Sequence, residues 1–174
     1  WAIIAKFMDV YTRNGLNMIL TPVFTPALDT VPGGERPTCQ LVDVYRKDGK
    51  WSFGFDRLER WVNLCLELGM EYFEISHLFT QWGAKHAPKV MAHTENGYEK
   101  VFGWETDACG EEYPAFLKEL IPQLISKLEE LGVADCTVFH ISDEPGSDML
   151  ESYNSAKNTV KECLKGQIIM DALS

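Results

Sequence analysis

Four times along this chain, a stretch with helical apolar spacing is followed by a short apolar run that reads as a strand. No other feature narrows the possible folds as much. Regular helix–strand alternation implies parallel strands joined by right-handed crossovers, because a helix must carry the chain back to the same end of the sheet each time.

The first unit is a helix over 1–14, with Ile3, Ile4, Phe7, Met8, Val10 and Tyr11 on a broad apolar face, then a strand over 16–21 that Pro22 ends. Residues 23–54 are too long for a simple connection. Their second half predicts a hairpin, 41–46 against 50–55, around the turn Lys47-Asp48-Gly49. In the second unit Asp56 and Glu59 have the spacing of a capping box. Leu58, Trp61, Val62, Cys65, Leu66 and Leu68 supply the buried face, Gly69 stops the helix, and 72–76 is the strand. Residues 77–113 read as another long connection, holding Gln81, Trp82, His86, His93 and Trp104.

The third helix starts near Pro114 and carries a leucine and isoleucine stripe to Gly132. Pro122 inside it predicts a kink or a split. A strand over 133–141 follows. Asp148 with Glu151 suggests a second capping box, for a helix that buries Leu150, Tyr153, Ala156, Val160 and Leu164. Residues 168–172 form the last strand.

A doubly wound sheet and part of a (β/α)8 barrel both fit this pattern. Two observations favour the barrel. The chain begins on a helix and ends on a strand, as an excised segment would, and both long connections follow strands, where barrels elaborate their sites. A whole barrel needs roughly 250 residues, so the 174 residues here are expected to be a fragment of one catalytic barrel domain, about half of it. The first residue is Trp1 and no basic, signal-like stretch precedes an apolar run; no run is long enough to span a membrane, and the native compartment stays open. A net charge of −10 argues against nucleic acid or an anionic membrane as partner. The five cysteines form no CxxC pair and read as small buried hydrophobes with free thiols.

The chemistry concentrates in Phe139-His140-Ile141-Ser142-Asp143-Glu144-Pro145. A buried strand here ends in two adjacent carboxylates, and strand ends are where α/β proteins place their reacting groups. A plainer reading has the pair only starting the next helix. By alternation Phe139 and Ile141 face the helix layer, while His140, Ser142 and Glu144 face the site. Asp143 can join Glu144 only where the backbone turns. Pro145 is expected to hold Glu144 extended. A negative Asp143 nearby would favour the protonated form of Glu144, making it a general acid. A conventional retaining pair of carboxyl groups lies about 5 Å apart, on opposite sides of the sugar. Consecutive residues do not easily straddle a ring in that way. A 2-acetamido sugar removes the difficulty by supplying its own amide oxygen as nucleophile.

The run His140-Ile141-Ser142-Asp143-Glu144-Pro145 resembles the catalytic strand of glycoside hydrolase family 123, which groups bacterial β-N-acetylgalactosaminidases with many uncharacterised relatives. Ser76-His77-Leu78-Phe79-Thr80-Gln81-Trp82-Gly83-Ala84 is similar to that family as well, and the likeness extends over nearly the whole chain. The Asp-Glu pair alone is less specific, since family 20 hexosaminidases share it. The resemblance implies a (β/α)8 catalytic domain, retention through an oxazolinium-type intermediate, and no metal or organic cofactor. It implies that Asp143 orients the acetamido group and that Glu144 is the acid/base. It also implies that the first strand and the second half of the barrel, with further site residues, lie outside this sequence.

Other candidates sit on the same rim. His77, Gln81 and Trp82 follow the preceding strand and suit hydroxyl binding and sugar stacking. His140 points inward as support or ligand, and Asp171 at the end of the last strand could bind a hydroxyl. Trp51 and Trp104 fit packing better. His77, His86 and His93 have no metal-ligand spacing, so no metal site is assigned. The function expected is cleavage of terminal β-linked N-acetylgalactosamine or a related sugar, with a glycan as partner. The alternatives are a same-fold glycosidase with a carboxylate nucleophile, a non-catalytic carbohydrate-binding relative, and a metal-dependent hydrolase. Exposed half-barrel edges also predict self-association.

Overall fold

The computed structural model describes residues 1–28, 30–164 and 166–172. In chain order the elements are α1 (Ala2–Arg13), β1 (Met18–Thr21), β2 (Asp43–Lys47), β3 (Lys50–Gly54), α2 (Asp56–Glu67), β4 (Tyr72–Ile75), β5 (Val90–Thr94) and β6 (Gly97–Phe102). They continue with α3 (Glu112–Glu130), β7 (Thr137–Phe139), α4 (Leu150–Val160) and β8 (Ile168–Ile169). Strands β1, β4, β7 and β8 pair in parallel and in that order, each preceded by its helix. A doubly wound sheet reverses its strand order at a switch point. Among the described residues this sheet does not, in keeping with an incomplete (β/α) barrel.

The two long connections form structure of their own. Hairpin β2–β3 is as expected from Asp48-Gly49, but residues 77–113 are not only a connection. They contain a second hairpin, β5–β6, turning at Glu95-Asn96-Gly97. The two hairpins join through the parallel pairing of Tyr45 with His93, giving a mixed sheet in order β3-β2-β5-β6. His93 is therefore a strand residue, packed between Tyr45 and Tyr98 at ring distances of 5.3 and 4.7 Å. Both hairpins leave from the C-terminal ends of barrel strands, β1 and β4, so the mixed sheet stands beside the rim where β7 ends.

Helix α3 ties the two sheets together. Phe116, fully buried, meets Phe24, Trp51, Phe53, Phe102 and Tyr113 with ring centroids 5.0–6.0 Å apart. Such aromatic pairs, four tilted or edge-on and the Tyr113 pair stacked, add stabilisation beyond their buried area. The Tyr113 hydroxyl donates to the Leu78 carbonyl, fixing the loop after β4. Helix α2 buries Leu58, Val62 and Cys65, one stripe at helical spacing. Helix α1 buries only Met8, while Ile3, Phe7 and Val10 on it stay exposed.

Several local expectations are corrected. The strand over 133–141 is shorter, because a 3-10 turn, Ala134–Cys136, precedes β7 and the sheet pairing covers Thr137–Phe139. Neither capping box forms: α2 is preceded by Phe55 and α4 by Met149, with no side-chain cap on either. Asp148 lies instead in a 3-10 turn, Ser147–Met149, and Leu150 is exposed. Pro122 does not split α3, which runs unbroken through it. Of the cysteines, Cys65 is buried, Cys136 and Cys163 pack partly against the core, and Cys39 and Cys109 are exposed. Among the described residues no helix is long and apolar enough to cross a membrane.

Candidate active site

The backbone past β4 and β7 stays zipped after the strands end. Leu78 N donates to His140 O, Phe79 N to Ile141 O, and Trp82 N to Asp143 O, each at 3.0 Å. The buried Ser142 hydroxyl adds a bond to the Thr80 carbonyl at 2.8 Å. These contacts bring the 76–84 segment alongside the 140–144 segment, so His77, Trp82, His140 and Asp143 share one rim. Phe139 and Ile141 are wholly buried in the apolar core, whereas His140 and Ser142 are buried among polar partners, as the alternation requires.

Glu144 is not extended. Its φ is +44°, a left-handed turn that carries the exposed side chain off the strand direction. Pro145 disfavours the ordinary α conformation for Glu144, and the chain reverses directly into the 3-10 turn over Ser147–Met149. Trp82 (φ +58°) and Ala84 (φ +54°) are also left-handed, on the facing loop. Each such non-glycine residue costs about 1–3 kcal/mol, and residues of this kind gather where a site must be held in one shape. Gly83, between them, packs against α4, and a Cβ there would fall 3.0 Å from Ser152 Oγ.

Beneath the carboxylate pair lies a buried charge network. His140 Nδ1 is 3.1 Å from Asp171 Oδ1, and Nε2 is 2.8 Å from Glu74 Oε1. With a carboxylate at each nitrogen, both nitrogens carry protons. The Glu74 contact has the range of an ion pair without the direction of a good hydrogen bond. Burial pulls the His140 pKa down, but the bonds and charges of Asp171 and Glu74 outweigh it and raise the value to about 9. The charged His140 ring in turn holds Glu74 low, against its burial. Asp171 Oδ1 also accepts from Ile141 N at 2.9 Å, and Oδ2 from the Tyr153 hydroxyl at 2.6 Å.

His77 packs on this network, its ring centroid 4.4 Å from that of His140. Its Nε2 lies 3.9 Å from Asp143 Oδ1, and its Nδ1 is buried without a hydrogen-bond partner. Burial and the charge on His140 lower its pKa to about 4, against the pull of Asp171 and Glu74, so the ring is neutral near pH 7.

The structure thus brings His77, Trp82, His140, Asp143, Glu144 and Asp171 to one end of the barrel strands. Gln81 is nearby, but it is buried and its amide donates to the Thr30 carbonyl, anchoring the loop after β1. Trp82 keeps 46% of its surface exposed on the rim. His86 and Trp104 pair with each other, ring centroids 5.8 Å apart, and Trp51 belongs to the aromatic core. Glu74 and Tyr153 were not among the residues singled out from sequence. Glu74 could have been: it is a charged residue at an inward position of an otherwise apolar strand. Tyr153 gave only its place on the buried face of its helix. Among the described residues no group of three or more His, Cys, Asp or Glu side chains is placed to hold a metal ion.

Adjacent carboxylates just past the C-terminal end of a parallel strand, with buried imidazoles behind them and an exposed indole on the same rim, make this the candidate site of a barrel enzyme. The chain matches the family described as glycoside hydrolase 123, catalytic domain, over residues 1–174, and it belongs to that family. Among solved structures, it is similar to a family 123 glycoside hydrolase from Clostridium perfringens whose structure details glycolipid glycan hydrolysis. The TM-score is 0.70 at 14% identity, over 97% of this chain and 29% of that one, so the likeness is one of fold. The chain therefore spans less than a third of the length of that solved relative. A comparison with curated proteins gives no match.

Proposed function

We propose that this chain carries the acid/base side of a retaining, substrate-assisted β-N-acetylgalactosaminidase, and that it is one portion of a single catalytic barrel. The observation that carries this reading is the placing of Asp143 and Glu144 on consecutive residues of one strand end. Both carboxylates then approach the sugar from one side. A protein nucleophile on the opposite face, about 5 Å away, is not supplied by this pair. The acetamido oxygen of the substrate fills that role.

In this scheme Asp143 accepts the acetamido N–H and turns the amide oxygen toward C1. Glu144 donates its proton to the glycosidic oxygen as the C1–oxygen bond breaks and the amide oxygen bonds to C1. The leaving alcohol departs with that proton. Glu144, now a carboxylate, takes a proton from water as the water opens the oxazolinium ring, which restores the acetamido group with net retention. Trp82 offers a face for the apolar side of the ring. His140 and Asp171 serve the site as its buried support, and Gln81 as a loop anchor within reach of it.

The test uses the full-length parent enzyme and an aryl β-N-acetylgalactosaminide. Glu144→Gln and Asp143→Asn should each lower kcat by at least about 100-fold, the usual scale for losing a general acid or a charge-stabilising group. Unchanged activity in both variants removes the assignment. Hydrolysis of the matching aryl galactoside, which lacks the amide, at an equal rate would also remove the substrate-assisted step.

A further inference from the structure

The reading of Asp143 and Glu144 as the catalytic pair leaves His77 without a role, and its surroundings are unusually restrictive. The His77 side chain is only 7% exposed and its ring is braced against His140 at 4.4 Å. One nitrogen, Nδ1, is buried with no partner. The other, Nε2, faces the Asp143 carboxylate at 3.9 Å. A neutral imidazole has one proton to place. On Nδ1 it would be a buried, unpaired donor, and a lone pair would be aimed at a carboxylate. On Nε2 it points at that carboxylate, and the only unsatisfied atom is a weaker acceptor. The second arrangement avoids both penalties.

We propose that His77 is a positioning residue for Asp143: braced against His140, it presents Nε2–H to the Asp143 carboxylate and sets the angle at which that carboxylate meets the reacting sugar. This assignment rests on the catalytic reading of Asp143 and Glu144. The separation of 3.9 Å is longer than a hydrogen bond. Such contacts in unliganded sites tighten when substrate closes the site.

The charges around His77 keep it a neutral donor. His140 faces it from the end of β7 and carries a positive charge. Glu74 from β4 and Asp171 from beyond β8 act in the opposite sense, and Asp143 completes the set. Burial and the His140 charge prevail over the carboxylates. A doubly protonated His77 would tie up Asp143 in an ion pair when it is needed by the acetamido group. A neutral one orients the carboxylate and leaves its charge for the substrate. His140, gripped on both sides by Glu74 and Asp171, is the fixed surface against which this ring is held.

The experiment compares His77→Phe and His77→Gln in the full-length parent enzyme, with an aryl β-N-acetylgalactosaminide as probe and Asp143→Asn alongside. Phe keeps an aromatic ring against His140 but has no donor. Gln carries an N–H close to the Nε2 position. His77→Phe should lower kcat by about 100-fold, the scale of a misplaced catalytic group, with KM changed much less. A donor on a carboxylate favours its ionised form, so the acid limb of kcat/KM should move to higher pH in His77→Phe. His77→Gln should restore most of kcat and return the acid limb to its place. A purely structural role would lower the melting temperature and leave the pH profile where it was, and that result overturns the proposal. Equal impairment of the two variants overturns it as well. If the parent does not cleave the probe, or Asp143→Asn is fully active, the underlying catalytic reading fails and this assignment falls with it. Loss of activity in Asp143→Asn with a wild-type profile in His77→Phe overturns the His77 assignment alone.

Discussion

The rings of His77 and His140 lie 4.4 Å apart and hold opposite proton inventories: His140 is raised to about 9 and His77 lowered to about 4. One ring touches two carboxylates directly, while the other faces a carboxylate only at longer range and is buried beside a positive charge. Proximity alone therefore does not decide charge: direct carboxylate contacts outweigh burial at His140, whereas burial and the His140 charge prevail at His77. The pair stores its charge on the ring deeper in the network and leaves the ring nearer the rim neutral.

That asymmetry makes stability depend on pH with two signs. Folded His140 keeps a proton that the unfolded chain releases above about 6.5, so its contribution is complete below that pH and is lost as pH rises through about 9. Folded His77 refuses a proton that the unfolded chain accepts below 6.5, so stability falls as pH drops from 6.5 through about 4. In urea unfolding, the advantage of wild type over His140→Gln should shrink from pH 6.5 to 9. The advantage over His77→Gln should shrink from pH 6.5 to 4. Differences that stay flat over both windows would contradict the proton inventory.

Asp171 is the knot of the buried network. Its carboxylate receives His140 Nδ1, Ile141 N and the Tyr153 hydroxyl. Tyr153→Phe removes one bond to a charged group and should cost about 1.5–3 kcal/mol. Asp171→Ala leaves His140 facing Glu74 alone and strands the other donors, at about 3–5 kcal/mol. In the double variant the two losses should sum to more than the measured total, because they share one bond. Strict additivity in equilibrium unfolding would show that Tyr153 and Asp171 do not act together.

Trp82 permits a separation of binding from stability. Its indole is 46% exposed, and its φ of +58° is one that glycine adopts without strain. Trp82→Gly should leave the melting temperature of the parent enzyme unchanged or slightly raised. KM for the aryl glycoside should rise about tenfold, as expected for loss of a stacking face, with kcat changed little. Trp82→Ala should show the same KM without the backbone relief. A fall in kcat with constant KM would move Trp82 out of the binding surface.

The barrel part of the fold was legible because each helix–strand unit announces itself locally, by a stripe such as Leu58, Val62 and Cys65 and a stop such as Gly69. The mixed sheet was half legible. Asp48-Gly49 marks one hairpin; Asn96-Gly97 is an equally strong turn signal, but it lies in a segment that Trp104 and several glycines give the composition of a loop. The joining of the two hairpins through Tyr45 and His93 is a long-range pairing that no local pattern records. At the site, alternation along the 139–142 run placed His140 and Ser142 correctly off the apolar core. It could not give the conformation of Glu144. A proline disfavours the α region for the residue before it, and the left-handed turn is set by the fold around Glu144. Glu74 is not legible in the sequence because an inward charge is informative only once its partner, His140, is known to lie across from it.

The outer surfaces of the barrel segment lead to the last prediction. Among the described residues, β1 and β8 are the outermost strands of the parallel sheet. Beside β1, helix α1 exposes Ile3, Phe7 and Val10 at 69%, 61% and 54%. Unpaired edges recruit other strands, and contiguous apolar faces recruit one another. A second copy of this chain offers both at once, so the 174-residue chain alone should sediment as a dimer or larger assembly. Phe7→Lys sets a charge in the apolar face without disturbing the core, because Phe7 is exposed, and should shift the distribution toward monomer. Salt should strengthen the wild-type association or leave it unchanged, as befits an apolar contact. A wild-type chain that remains monomeric at high concentration would refute the role given to these edges.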